Sequence, residues 1–181
     1  MPEPTSIALF SVGGGGLILR LLRNQYRRAK PWVDRLGAGL LVVALSPVMA
    51  VCALLIKLTS KGPVLYTQQR VGKDGRVFTL FKLRTMHENA EAQTGPTWAQ
   101  GDHEDPRVTS VGRYLRKTHL DEVPQLINVL KGEMSLIGPR PERPSFVKEF
   151  KEEVTDYDRR LSVKPGITGL AQLRTGYDRT L

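Results

Sequence analysis

The sequence has little cysteine: Cys52 is the single one in 181 residues, so no internal disulfide can form. It falls in an apolar run and reads as a small buried hydrophobe. The three histidines, His87, His103 and His119, are scattered and show no metal-ligand spacing. No Gly-Lys-Ser/Thr is present where a phosphate-binding loop would need it. The run Gly13 to Gly16 leads into Leu17, and Gly72-Lys73 leads into Asp74. There is no internal repeat and no low-complexity tail. Negative charge is in deficit, with 18 Asp and Glu against 27 Lys and Arg, a formal charge of +9. Such a balance calls for an anionic partner: nucleic acid, anionic lipid or a phosphorylated substrate. Zinc-finger spacing and long arginine-rich tracts with interleaved aromatics are both missing, which argues against nucleic acid.

Charge is also missing from a whole segment. Residues 36–56 carry none. About 20 apolar residues span the ~30 Å core of a bilayer, so this run is long enough to cross. Ser46-Pro47 divides it into halves of about 16 Å. A proline there removes an intrahelical bond and kinks the helix. Both flanks are basic: Arg20, Arg23, Arg27, Arg28, Lys30 and Arg35 before, Lys57 and Lys61 after. A spanning helix would leave one cationic flank outside, against the positive-inside tendency. A helix-break-helix hairpin keeps both flanks on the cytoplasmic face, against anionic lipid headgroups. A kinked transmembrane helix remains the alternative. Residues 1–30 read as a lead or interfacial arm, because four consecutive glycines cost helix stability. Basic residues follow that arm's apolar stretch, unlike a cleaved signal.

The remaining residues, 61–181, read as a small globular domain of α/β (α+β, helix-rich) class. Residues 64–69 and 76–81 predict a β-hairpin around Lys73-Asp74-Gly75. It delivers Lys82 and Arg84 at alternate positions, on one face if the strand continues. Two cations there suit a diphosphate, or form a solvated edge. A polar loop is expected over 89–105. Thr109 or Ser110 can cap a helix over 111–117, which places Arg113 and Arg116 on neighbouring turns. The spacing over 144–161 predicts one amphipathic helix with Phe146, Phe150, Val154, Tyr157 and Leu161 on its core stripe.

The densest chemistry lies at Asp121-Glu122, just ahead of Pro124. Proline fits the first turn of a helix, and Val123, Leu126, Ile127 and Leu130 predict a short one ending at Gly132. Both carboxylates then sit at a helix N-terminus, which favours negative charge and can receive a phosphate. Asp121 is a candidate nucleophile there, or simply an N-cap. Gly138-Pro139-Arg140-Pro141 follows, a rigid turn presenting an arginine.

These motifs, in this order, resemble the bacterial sugar transferase family, the monotopic polyprenyl-phosphate phosphoglycosyl transferases. The resemblance covers roughly 30–173. It is carried by Ser46-Pro47, Gly62-Pro63-Val64, Gln68-Gln69-Arg70-Val71-Gly72, Lys82-Leu83-Arg84-Thr85-Met86, Arg116 to Gln125, Met134 to Pro141 and Lys164-Pro165-Gly166-Ile167-Thr168-Gly169. It implies a re-entrant membrane helix hairpin over 31–60 and a catalytic domain on the cytoplasmic face of the bacterial inner membrane. It implies transfer of a sugar phosphate from a nucleoside diphosphate sugar, a uridine one, to a polyprenol phosphate such as undecaprenyl phosphate. Such transfer begins cell-envelope polysaccharide or glycoconjugate assembly. Asp121 would form a covalent phosphosugar, Glu122 would hold Mg2+, and Lys82, Arg84, Arg116 and Arg140 would neutralise the diphosphate. Pro139 and Pro141 would fix the backbone around Arg140. Family members usually continue with an aromatic-rich amphipathic segment after the last motif; this sequence ends at Leu181. The sugar and the oligomeric state are left open.

Overall fold

The computed structural model describes residues 4–88, 90 and 105–175, with side chains from 25 onward except 27, 171, 174 and 175. A long helix, α1 (Pro4–Thr59), leads into a hairpin of β1 (Leu65–Val71) and β2 (Val77–Leu83). Next come α2 (Ser110–Lys117), a 3-10 turn (Leu120–Gln125), α3 (Leu126–Lys131) and β3 (Ser135–Ile137). The described chain closes with α4 (Pro144–Glu153), a second 3-10 turn (Tyr157–Ser162), β4 (Gly166–Thr168) and α5 (Leu170–Thr175). β1 and β2 pair antiparallel, β3 and β4 parallel, as two separate small sheets. The class is therefore mixed and helix-rich, as expected. The loop expected over 89–105 lies outside the described residues apart from 90 and Asp105.

Two expectations about α1 need correction. The glycine run does not interrupt it; the backbone is helical from Pro4. Each glycine costs about 1 kcal/mol of helix propensity, and the helix runs on through all four. Nor does the helix divide into two at Ser46-Pro47, since its assignment runs on through both prolines to Thr59. Pro47 has no N–H for the carbonyl of Val43, four residues back. The Ser46 hydroxyl donates to that carbonyl instead, at 2.8 Å. The orphaned acceptor is satisfied and the helix continues.

One stripe of α1 belongs to the core. Ala38, Val42 and Leu45 pack with Phe78, Leu80, Leu126, Val129 and Met134. Met49, Cys52 and Ile56 pack with Leu83, Leu115 and Leu120. The steps of three and four residues keep these six side chains on one face. The opposite face is bare: Leu36, Leu40, Val43, Leu54 and Leu58 are all exposed. A bare apolar face this long makes α1 the one described helix with the length and composition to enter a membrane.

The hairpin ladder runs closer to its turn than expected, pairing Val71 with Val77. Asp74 and Gly75 take positive φ, 55° and 75°, and make the turn. Phe78, Leu80 and Lys82 share one face, so the alternation that buries two apolar residues also turns Lys82 inward. Thr109 caps α2 by accepting from Gly112 N at 2.9 Å. Gly132 ends α3 in the left-handed region, φ 82°. The helix expected over 144–161 is shorter. It stops at Glu153, and Asp156 at φ 65° redirects the chain into the second 3-10 turn. Val147, Tyr157, Phe150 and Leu161 still pack together beside Val71, while Val154 faces outward.

Candidate active site

The chain leaves α2 through His119, whose φ of 55° is a left-handed conformation unusual for a residue with a side chain. This bend starts the 3-10 turn directly, so Asp121 and Glu122 occupy its first turn. Both are buried, with relative exposures of 7% and 3%. Pro124 falls inside the turn, and Gln125 below it is buried as well.

Lys82 reaches these carboxylates from the neighbouring strand. Its Nζ donates to Glu122 Oε1 at 2.6 Å and stands 3.9 Å from Asp121 Oδ2. Arg140 approaches the same Glu122 oxygen at 3.5 Å. Four of the residues singled out by the sequence thus meet, from β2, the 3-10 turn and the Gly-Pro-Arg-Pro loop. Lys82, Glu122 and Arg140 line a crevice of about 210 Å3, open to solvent, with Arg70, Gln125, Pro141, Gly166 and Ile167 among its other walls. Pro139 lines an adjoining crevice with Arg140, Glu142 and Tyr157.

Arg116 and Arg84 are placed differently. Arg116 donates from Nε to the Thr85 hydroxyl at 3.0 Å, and its charge still acts on Asp121. Arg84 lies just past the end of β2. Its guanidinium donates to the Ser60 carbonyl and hydroxyl at 3.0 and 2.9 Å, where α1 ends. A cation suits the carbonyl end of a helix. Arg84 therefore fastens the hairpin to α1, and Lys82 alone of the pair reaches the carboxylates. Ser46 and Pro47 lie in α1 and take no part in this cluster.

Burial pushes the Asp121 carboxyl above its usual range, and Glu122 adds to the rise. Lys82 is the main force in the other direction, with Arg116 and His119 helping. Burial thus favours the neutral form, and the ion pair with Lys82 at 3.9 Å opposes it, which leaves a carboxylate that is reactive when ionised.

A second group supports the Arg140 loop and was not legible in the sequence. Arg70 donates to the Pro141 carbonyl at 3.0 Å, and Arg160 to the Arg140 carbonyl at 2.7 Å. The carboxylate of Glu142 lies between them, 3.5 Å from each guanidinium. Burial pushes Arg70 down to about 10 and Glu142 upward. Only Arg70 lay inside a motif; Arg160 comes from a segment whose spacing signalled packing.

Among the described residues no three His, Cys, Asp or Glu side chains converge on one point. Mg2+ rarely needs them, since it is usually held by one or two carboxylates together with substrate phosphates. Both cations act on Oε1 of Glu122, and among the described residues none bonds its Oε2. This donor set fits that mode of binding.

Comparison with known proteins places this geometry. The chain is 49% identical over 152 residues to the UDP-N-acetylgalactosamine-undecaprenyl-phosphate N-acetylgalactosaminephosphotransferase of Aeromonas hydrophila, covering 84% of this chain and 35% of that protein. It is 49% identical over 147 residues to a putative undecaprenyl-phosphate N-acetylgalactosaminyl 1-phosphate transferase of Bacillus subtilis, covering 81% and 74%. It is 41% identical over 169 residues to the UDP-glucose:undecaprenyl-phosphate glucose-1-phosphate transferase of Caulobacter vibrioides, covering 93% and 61%. The chain therefore spans between about a third and three quarters of the length of these relatives. The family model described as bacterial sugar transferase matches residues 25–181, which takes in the apolar helix, the paired carboxylates, Lys82 and Arg140 together. With both lines of comparison in agreement, the chain belongs to the bacterial sugar transferase family.

Proposed function

We propose that this chain transfers a sugar phosphate from a uridine diphosphate sugar to a polyprenol phosphate through a covalent intermediate on Asp121. The observation that carries this reading is a buried carboxylate in an ion pair with Lys82 at 3.9 Å, with Glu122 and Arg140 beside it. The names of the relatives, which specify undecaprenyl phosphate and UDP-sugars, support the two substrates.

In the first step an Asp121 oxygen attacks the sugar-bearing phosphorus. The bond from that phosphorus to the bridging oxygen breaks, and uridine monophosphate leaves with the electron pair. In the second step an oxygen of the polyprenol phosphate attacks the same phosphorus. The acyl phosphate bond breaks, Asp121 is restored, and the product is a polyprenyl diphosphate sugar. Lys82 and Arg140 neutralise charge that grows on the transferring group. Adjacent residues on a turn point in different directions, so Asp121 and Glu122 divide the work. Glu122 would hold Mg2+, and the ion would supply Lewis-acid stabilisation of the diphosphate.

The reading extends to the membrane. The core stripe of α1 stays against the globular elements from Ala38 to Ile56, across the whole uncharged run. A helix crossing a bilayer leaves its water-soluble domain behind on one side. This one keeps the domain alongside, which supports a seat on one face of the bilayer. The chain would then sit on the cytoplasmic face of the bacterial inner membrane.

Intact-mass measurement after incubation with a panel of UDP-sugars tests the proposal. A hexose-phosphate-sized adduct is expected with the correct donor, absent in Asp121→Asn. Nucleotide release without any adduct in rapidly quenched samples would remove the covalent step. Binding to anionic vesicles with neither adduct nor release would leave a non-catalytic membrane scaffold. The same panel identifies the sugar, on which the relatives' names divide between glucose and N-acetylgalactosamine.

A further inference from the structure

A pair of cations remains outside the active site, where α1 meets the globular part. Arg35 Nη2 and Lys164 Nζ lie 2.7 and 3.5 Å from one point, the place where a Cβ on Gly132 would stand. Arg35 comes from the membrane helix and Lys164 from the loop before β4. The nearest acid on the helix, Asp34, is already engaged. Its Oδ2 accepts from Lys30 and from the Ser135 hydroxyl, each at 2.8 Å. Burial makes Lys164 easier to deprotonate, Arg35 adds to this, and Asp34 opposes it.

Two cations near the end of α3 could merely complement the carbonyl end of that helix. Two of those carbonyls are already paired, however. Val129 O accepts from Gly132 N, and Asn128 O accepts from Glu133 N and Met134 N. Among the described residues neither cation has a hydrogen-bond acceptor assigned to it. Their level on the helix is informative. Arg35 lies over the Trp32 ring, 5.7 Å from its centroid, and Trp32 is 65% exposed. The bare apolar face begins around it, with Val33 and Leu36 both exposed. Exposed tryptophan beside arginine at the start of an apolar run is the pattern of a headgroup boundary.

We infer that Arg35 and Lys164, which converge over Gly132, form a phosphate site at headgroup level, occupied by the phosphodiester of an anionic phospholipid. A phosphodiester oxygen bridging the two cations would tie the membrane helix to the globular part at the depth set by Trp32. The inference rests on the membrane seating proposed above.

The test uses the full chain, with vesicles of phosphatidylcholine alone and of phosphatidylcholine mixed with phosphatidylglycerol. Near a membrane surface each Lys or Arg is worth about a fivefold change in binding, so R35Q/K164Q loses roughly 25-fold on the anionic vesicles. Neutral-vesicle binding stays unchanged, because the apolar face is intact. R35K and K164R keep the preference, which separates loss of the site from misfolding. The charge-matched K117Q/K148Q, both exposed, retains one phosphatidylglycerol per chain by native mass spectrometry, and R35Q/K164Q does not. Undiminished lipid retention in R35Q/K164Q overturns the site. Displacement of that lipid by millimolar inorganic phosphate makes it a soluble-phosphate site and overturns the headgroup assignment. Failure of the parent chain on both kinds of vesicle removes the seating and this inference together, whereas binding to neutral vesicles with no anionic preference removes the inference alone.

Discussion

Glu122 and Glu142 are two carboxylates, each faced by two cations, and they are used in opposite ways. At Glu122 both cations fall on Oε1, at 2.6 Å from Lys82 and 3.5 Å from Arg140. Oε2 is left for something else. At Glu142 the load is divided, with Arg70 on Oε2 and Arg160 on Oε1. Both of those arginines also hold main-chain carbonyls of the Gly-Pro-Arg-Pro loop. The first carboxylate keeps spare capacity and a lysine, a compact point charge that can follow a moving phosphate. The second is saturated by planar guanidiniums, which fix geometry. One is an instrument and the other is its mount.

Substitutions can break this contrast in order of expected effect. Asp121→Asn should lower turnover by about 10^4-fold or more, as loss of a nucleophile does, measured as nucleotide release. The same variant should be more stable than the parent at neutral pH. The Asp121 pKa is raised, so its protonated form is the one the fold prefers, and stability from this group is lost as pH rises through the folded pKa. The gap in Tm should therefore close as the pH falls below the ordinary carboxylate range. Equal Tm values across that range would mean the burial cost is absent.

Lys82→Gln should reduce kcat by about 10^2–10^3-fold, the range for loss of one charge-stabilising donor. It should also move the acid limb of the kcat/KM profile to higher pH, because Lys82 is the chief influence lowering the Asp121 pKa. An unmoved limb would separate the two groups. Glu122→Gln should weaken the response to Mg2+ in a metal titration, while Glu142→Gln leaves the titration alone. If both shift it equally, the contrast between the two carboxylates fails.

Arg160→Met should act on stability more than on chemistry. Breaking one arm of a buried pair costs up to about 3–5 kcal/mol, less here because Arg160 is partly exposed. The expected signature is a lower Tm with KM raised more than kcat is reduced. The smallest effect belongs to Ser46→Ala. It removes one hydrogen bond to Val43, worth about 0.5–1.5 kcal/mol, and is read from Tm in detergent.

What the sequence made legible follows from the range of the forces involved. The Thr109 cap, the Gly132 stop and the hairpin turn are local, and each is where spacing put it. Asp121 and Glu122 precede α3 but lie in a separate 3-10 turn, with Pro124 late in it, rather than at the α-helix N-terminus. Lys82 turned inward because period-two alternation carried it with Phe78 and Leu80. Arg84 was paired with Lys82 by the same alternation, but the strand ends at Leu83 and the end of α1 claims the guanidinium. The end of α4 escaped because one residue, Asp156, adopts a left-handed backbone inside a good apolar stripe. The Arg70–Glu142–Arg160 group joins three distant segments, so no local spacing reports it. The core stripe of α1 was hidden for a different reason: every neighbour in the run is also apolar.

The contact between Gly138 and Gly166 has a practical side. A Cβ on Gly138 would stand 2.5 Å from the Lys164 carbonyl, and one on Gly166 would stand 2.0 Å from Gly138 N. The two motifs therefore meet backbone to backbone, with no side chain between them to absorb a change. For anyone building chimaeras within the family, the loop at 138–141 and the loop at 164–169 form a single cassette. A crossover between them should give far fewer folded clones than one placed before 134 or after 169, however similar the parents are along the intervening helix.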